Sequence, residues 1–382
     1  MRTFNFQYIL SCFWFAIMSY ICFGYGTGDN YKAAPLFICV SLLLLHFNNT
    51  HLNDVIKPFK ILLILYIITS IGYLLNTDVS LNNYTQYLSY SVSGCITVIT
   101  SFSLVKKNPK MLRVFSFMMF LFFAVGITRF FKEMSLLESF YAVTSFYYLL
   151  FAIPLILMSW NKKYFHLILL SVTIIFCVLS MKRSAIIASV FLLVMYLLIV
   201  AKSSLKQFVY VGILSVIILF IISRYLKNTD FLEYLTRIFE RLDKLEEDKG
   251  SGRGDVIELF IKKDIYDLMA FPDLFIGKGF EAYHRKYINL AAAHNDFIEM
   301  IFSTGLLGLF CLCRFLYLIF RKSIVLIKTN SNVAMTYASV VFLFFFYAFA
   351  SSNFYFYYLS LPLFLTIGAL EGYLTSNHTT ES

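Results

Sequence analysis

Apolar runs near or above about 18 residues, the length a helix needs to cross a hydrocarbon core, recur from one end of this chain to the other. In lipid every backbone N–H and C=O must find a partner inside the protein, so runs of this length fold as helices packed side by side. A β-barrel needs short segments of alternating polarity instead. Only 14% of the residues are charged, against roughly 25% in a soluble domain. The sequence therefore predicts an all-α, polytopic helical membrane protein.

About twelve spans are expected, near residues 6–23, 34–47, 59–75, 86–105, 111–127, 140–159, 164–180, 184–201, 207–224, 296–320, 334–350 and 354–373. The first is read as a retained span, because it is long for a signal-peptide core and lacks a clear cleavage site. The second is short enough to be a tilted or interfacial helix, and the fourth is weakened by Ser and Thr. One long polar interval interrupts the series. The expected organisation is an N-terminal transmembrane bundle over 1–223, a large loop over 224–295 and C-terminal transmembrane helices over 296–382.

The net charge of +10 is unevenly spread. Residues 224–296 hold 12 Lys/Arg and 14 Asp/Glu of the chain's 32 and 22, so the positive excess lies on the short connectors. With the N-terminus in the cytoplasm, connectors on that side carry 14 positive residues, Arg2 included. The opposite short connectors carry five: Lys32, Arg129, Lys132, Lys182 and Arg183. This bias places both termini inside and the large loop outside. It is a topology signal and not a surface for nucleic-acid phosphates, so no nucleic-acid partner is expected.

The loop is patterned. Phe231, Leu235, Ile238, Leu242 and Leu245 make a helical stripe, and Ile257, Ile261, Ile265 and Leu268 make a second. Between them EEDKGSGRGD reads as a glycine-rich turn holding Arg253. Asp255 and Glu258 have capping-box spacing, and GKGF at 277–280 closes the segment.

Three places carry candidate chemistry. His294 precedes an apolar run in AHNDFIEMIFSTGLLG, with Asn295 beside it and Asp296 placed to cap the coming helix. An imidazole there suits a general base on a hydroxyl or a donor to an oxyanion; an interfacial histidine holding one hydrogen bond fits the position as well. Arg253 lies between Gly252 and Gly254, which let backbone amides approach a phosphate while guanidinium binds it bidentately; a solvated turn arginine is the plainer alternative. Lys182 and Arg183 form a positive pair in a tight outward turn, against the topology bias, and Arg129 with Lys132 is a weaker instance. Such cations seek an anion or a watered cavity, or snorkel to headgroups. No Walker loop, GxGxxG, DxD or HExxH is present, so no metal and no cofactor is expected. The seven cysteines lie in apolar segments without metal spacing.

On these residues the chain resembles the O-antigen polymerase and O-antigen ligase superfamily. The resemblance rests on HND…STGLLG from His294 to Gly308, the late outward loop with SGRGD and GKGF, the KRS turn at 182–184, and the number of spans. Its specific part covers Lys182 to Gly308; the aromatic that relatives carry shortly after the loop arginine has only Phe260 as a counterpart. The resemblance implies a membrane-embedded, metal-independent glycosyltransferase using undecaprenyl-diphosphate-linked oligosaccharide at the periplasmic face of the bacterial inner membrane. It implies His294 and Arg253 as catalytic residues, and a diphosphate-binding set of Arg183, Lys182, Arg129 and Asn295. Expected partners are that lipid-linked glycan, membrane lipid and a chain-length regulator protein. The Phe/Tyr-rich, short-loop character tilts the reading toward a repeat-unit polymerase, with the ligase that moves glycan onto lipid A-core as the alternative. A transporter or flippase predicts charges and helix breaks at mid-membrane, but Pro154, Pro362 and Arg314 are the few such residues. A non-catalytic scaffold leaves the outward cations unexplained.

Overall fold

The computed structural model describes residues 2–23, 30–51, 55–75, 81–136, 146–159, 163–180, 182–199, 213, 258–260, 262, 273–279, 295–329, 331–350 and 357–380. Among these residues every regular element is helical. The elements are α1 (Arg2–Phe23), α2 (Ala34–Phe47), α3 (Lys57–Leu75), α4 (Leu81–Lys107), α5 (Met111–Leu136), α6 (Phe146–Ser159), α7 (Lys163–Leu179), α8 (Arg183–Ile199), the single turn α9 (Asp273–Ile276), α10 (Asp296–Ile327), α11 (Asn332–Ala350) and α12 (Tyr357–Thr380). The expected span at 207–224 and most of the large loop lie outside the described residues.

Among the described residues, four stretches are long and apolar enough to cross a membrane alone: Phe6–Phe23, Met111–Glu133, Asp296–Ile327 and Asn332–Ala350. Shorter apolar helices such as Phe165–Leu179 and Ser184–Tyr196 accompany them. The bundle wears its greasiest side chains outward: Phe310, Ile9, Val325 and Phe349 are all more than half exposed. Serines and threonines such as Ser41, Thr97, Ser101 and Thr336 are buried. Without a hydrophobic force between helices, small residues and interhelical hydrogen bonds hold a bundle together in lipid. The chain is a polytopic, all-helical membrane protein.

This explains the weak hydropathy of α4. Its Ser93, Thr97, Thr100, Ser101 and Ser103 are all buried, and Ser101 Oγ donates back to the Thr97 carbonyl at 2.8 Å. Facing them, Gly368 and Gly372 of α12 are one turn apart. A Cβ on Gly368 would stand 2.1 Å from Ser101 Oγ, and one on Gly372 would stand 2.5 Å from the Phe102 carbonyl oxygen. The two helices meet backbone to backbone, so this span trades apolar surface for close approach.

The helices have two distinct ends. At one end Gln7 Nε2 donates to Asn48 Oδ1 (3.0 Å) and Asn108 Nδ2 to Tyr8 Oη (3.0 Å). Lys57, Lys60, Lys106, Lys107 and Arg321 cluster at the helix termini there. Buried Glu371 of α12 accepts from Tyr337 Oη (2.7 Å) and pairs with Lys322 at the same end. Glu371 is an in-span acid beyond the Arg314 noted from sequence; Arg314 itself lies over the Tyr317 ring. At the other end stand the C-termini of α1, α3, α5, α7 and α11 and the N-termini of α6, α8 and α10. Tyr148 Oη donates to the Cys22 carbonyl there. All seven cysteines are free thiols within helices.

Candidate active site

The expected site residues that the structure describes all fall at the end opposite the lysine-rich one. Arg129 lies near the top of α5, half-buried, with its Nε donating to Glu133 Oε1 at 2.8 Å. One residue on, the Phe130 ring contacts Phe176 of α7 at 4.9 Å, and Phe131 contacts the same ring at 5.6 Å. This joins the top of α5 to the top of α7. From there the chain turns within three residues: Ser180 Oγ donates to the Cys177 carbonyl (2.7 Å), the Lys182 amide donates to Ser180 Oγ (3.3 Å), and α8 starts at Arg183. The Lys182 carbonyl accepts from the Ala185 amide at 2.9 Å. The Lys182–Arg183 pair therefore opens a helix N-terminus, where an anion is favoured.

The last turns of α11 connect this corner to α10. Tyr347 Oη reaches the Ser184 carbonyl at 3.5 Å, and its ring meets Tyr147 and Phe151 of α6 at 5.2 and 5.3 Å. Two residues on, the Phe349 ring lies tilted against Phe297 in the first turn of α10, with centroids 4.6 Å apart. The starts of α8 and α10 are thereby held beside the same helix end.

The start of α10 corrects one expectation. Asn295, not Asp296, is the N-cap: its backbone is extended (φ −148°, ψ 112°) and its Oδ1 accepts from the Phe297 and Ile298 amides at 3.0 and 3.3 Å. Asp296 is already the first helical residue and fully buried, as is Glu299. With Ser303, whose hydroxyl is also buried, they recur at three- and four-residue spacing along one face. Sequence reading did not single out Glu299. The signal was present as two acids three apart opening an apolar run, a pattern that charge counting assigns to a solvated helix start.

Next to this face α10 breaks. Gly305 has φ 62° and ψ −162°, a conformation open almost only to glycine. The break frees carbonyls that a continuous helix would use, and the GKGF segment takes them: the Lys278 amide donates to the Phe302 carbonyl (2.7 Å) and the Gly279 amide to that of Ser303 (3.1 Å). Gly277 and Gly279 both have positive φ. Gly72 of α3 closes the third side, where a Cβ would sit 2.6 Å from the Ile276 carbonyl oxygen. Phe260 touches Phe302 at 5.7 Å, so residues 258–260, which are helical, also reach the break.

Of the six expected site residues, Arg129, Lys182 and Asn295 are described in full, and Arg183 as the first residue of α8. His294 and Arg253 lie outside the described residues. His294 directly precedes the cap of α10, and Arg253 is seven residues before Phe260.

No curated protein matches this chain. A family model described as O-antigen ligase matches residues 167–313, which run from α7 through α8 and the polar interval into the first half of α10. The match covers the stretch that turns the KRS corner, carries the GKGF clamp and opens α10, and it is consistent with the O-antigen polymerase and ligase superfamily that the sequence resembles.

Proposed function

We propose that this protein is a membrane-embedded glycosyltransferase of the O-antigen polymerase type. It transfers a growing glycan from undecaprenyl diphosphate onto a sugar hydroxyl of the next lipid-linked repeat unit, at the periplasmic face of the bacterial inner membrane. The acceptor oxygen bonds to the anomeric carbon, the bond from that carbon to the diphosphate breaks, and the hydroxyl proton leaves with a base. What carries the reading is the gathering of Arg129, Lys182, the start of α8 and the Asn295 cap of α10 at the end opposite the lysine-rich one, within and beside the family's domain. The lysine-rich end fits the cytoplasmic side, which leaves the candidate site and the large loop, 224–295, in the periplasm.

In this reading the cations and two helix N-termini neutralise the departing diphosphate, the charge stabilisation that such a transfer chiefly requires. Arg253 and Arg183 bind the donor diphosphate, supported by Lys182, Arg129 and Asn295. His294 either takes the proton of the acceptor hydroxyl or steadies the leaving group. The energy arrives with the lipid diphosphate, which accounts for the absence of a nucleotide-binding motif.

The test is the gel profile of cell-surface polysaccharide. His294→Ala and Arg253→Ala should each abolish long chains while the protein stays in the membrane; wild-type ladders in both variants overturn the proposal. A deletion strain showing core capped by a single repeat supports the polymerase. Uncapped core with lipid-linked polymer accumulating assigns the ligase reaction instead.

A further inference from the structure

We propose that the lipid-facing side of α10 docks a transmembrane helix of another protein, one that carries an acidic residue within its span and pairs it with Arg314. The inference needs only that the bundle lies in a membrane, and it is independent of the transferase reading above.

Arg314 lies well inside the apolar helix α10, about 13 Å past the break at Gly305 and about 20 Å before Ile327 at 1.5 Å per residue. It is partly exposed on the outer surface of the bundle. Its guanidinium lies over the Tyr317 ring, 5.4 Å from the centroid, and among the described residues no acid pairs with it. Of the long helices packed on α10, α3 and α11 contain no Asp or Glu. A guanidinium in hydrocarbon is costly and is kept where it meets an anion or water.

The face around Arg314 has the pattern of a helix–helix seam. Leu306, Phe310, Cys313, Tyr317, Phe320 and Ile324 are all exposed and follow one another at spacings of four and three, the 3.5-residue period on which a second helix packs. Arg314, Arg321 and Lys328 recur every seven residues along one edge of that seam, the position where charges choose a partner of opposite sign. Apolar side chains alone give no preference for a helix over lipid; the charge supplies it. Arg321 and Lys328 stand at the end of α10, where headgroup phosphates and water reach them. Arg314 is two turns deeper, about 10 Å, and Tyr317, itself a seam residue, holds the charge on the seam. What meets it at that depth is an acid on another helix. A second copy of the chain offers none among the described residues. The acids of α10 and α12, Asp296, Glu299 and Glu371, are buried, and Glu133 is paired with Arg129 near the end of α5. Pairing α10 with α10 adds only further cations to the seam.

The test uses the full chain in proteoliposomes of phosphatidylethanolamine and phosphatidylglycerol. The probe is a synthetic transmembrane helix of Leu and Ala with one Glu at mid-length, compared with its twin carrying Gln instead. A photoreactive benzophenone amino acid replaces Phe310 on the seam or, as control, Ile9, which is equally exposed on α1. After irradiation, adducts are identified by mass spectrometry. At position 310 the Glu helix should crosslink about 3- to 10-fold more than the Gln helix, the scale of a polar contact between membrane helices. At position 9 the two should crosslink alike. Arg314→Leu, which removes a charge from the span and leaves insertion intact, should abolish the preference, and Arg314→Lys should keep it. Equal yields from the Glu and Gln helices at position 310 overturn the proposal. So do phospholipid adducts in place of the peptide, which assign Arg314 to the headgroups, and crosslinks between two copies that exclude the peptide. The readout needs no glycan transfer, so its failure leaves the transferase reading standing, and loss of that reading leaves the docking face.

Discussion

Gly305 and Phe275 meet backbone to backbone. A Cβ on Gly305 would stand 2.4 Å from the Phe275 carbonyl carbon and 2.5 Å from its oxygen, and one on Gly277 would stand 2.4 Å from the Ser303 carbonyl carbon. The GKGF segment thus inserts into the break of α10, and the buried face of Asp296, Glu299 and Ser303 lies on the half of the helix that the break sets apart. The two glycines separated by 28 residues of sequence are one structural device.

Gly305→Ala should therefore destabilise the protein. The conformation alone costs about 1–3 kcal/mol for a residue with a side chain, and displacing the Phe275 peptide adds to that. Thermal unfolding in detergent should show a lowered midpoint, with less protein in the membrane. Leu307→Ala, two residues on and exposed, is the control expected to change little.

Asn295 separates structural from chemical roles. Asn295→Ala removes the cap of α10 and should cost about 0.5–2 kcal/mol. Asn295→Asp keeps an accepting oxygen for the Phe297 and Ile298 amides and should preserve the melting midpoint. It also loses the amide donor and adds a negative charge where a diphosphate is expected, so long-chain glycan should fall. A wild-type ladder from Asn295→Asp would reduce Asn295 to a cap.

Arg129→Gln and Lys182→Gln should each lower glycan transfer by about 10- to 100-fold, the loss of one charged hydrogen bond to substrate, measured as polymer formed by equal amounts of membrane protein. Stability should hardly move for Arg129→Gln, because an i,i+4 ion pair contributes about 0.2–0.5 kcal/mol. Glu133→Gln breaks the same pair and spares the cation. Its activity should remain, and a loss equal to that of Arg129→Gln would show that the pair matters and not the guanidinium.

Glu371→Leu should destabilise without altering chain-length distribution. It strands the buried Tyr337 hydroxyl, a penalty of about 1–3 kcal/mol. Lys322 is 39% exposed and keeps access to water, so its contribution is smaller. Glu371→Gln retains an acceptor for Tyr337 and should lie between the two. Melting midpoints order the three proteins, and polysaccharide gels of surviving protein check that the far end of the bundle is unaffected.

The sequence by itself determined the fold class and where the described helices lie along the chain. Runs of apolar residues longer than a bilayer core admit only helices, and the described helices fall on the expected spans because a 3.6-residue period and length are local properties. The candidate residues stand out by type: Lys182 and Arg183 as a positive pair in a tight turn against the topology bias, and HND before an apolar run. Those choices needed only position along the chain.

Tertiary structure decided what depends on a neighbour. The polar fourth span is a full helix because Gly368 and Gly372 let α12 press against its serines and threonines. The head of α10 puts Asn295 in the cap, where spacing alone offered Asp296, and buries both Asp296 and Glu299. Gly305 looks like any glycine at the head of a span until the amides of Lys278 and Gly279 claim the carbonyls its break releases. Each of these is a contact between segments far apart in the chain, and hydrogen-bond satisfaction across such contacts is set by packing and not by any local pattern.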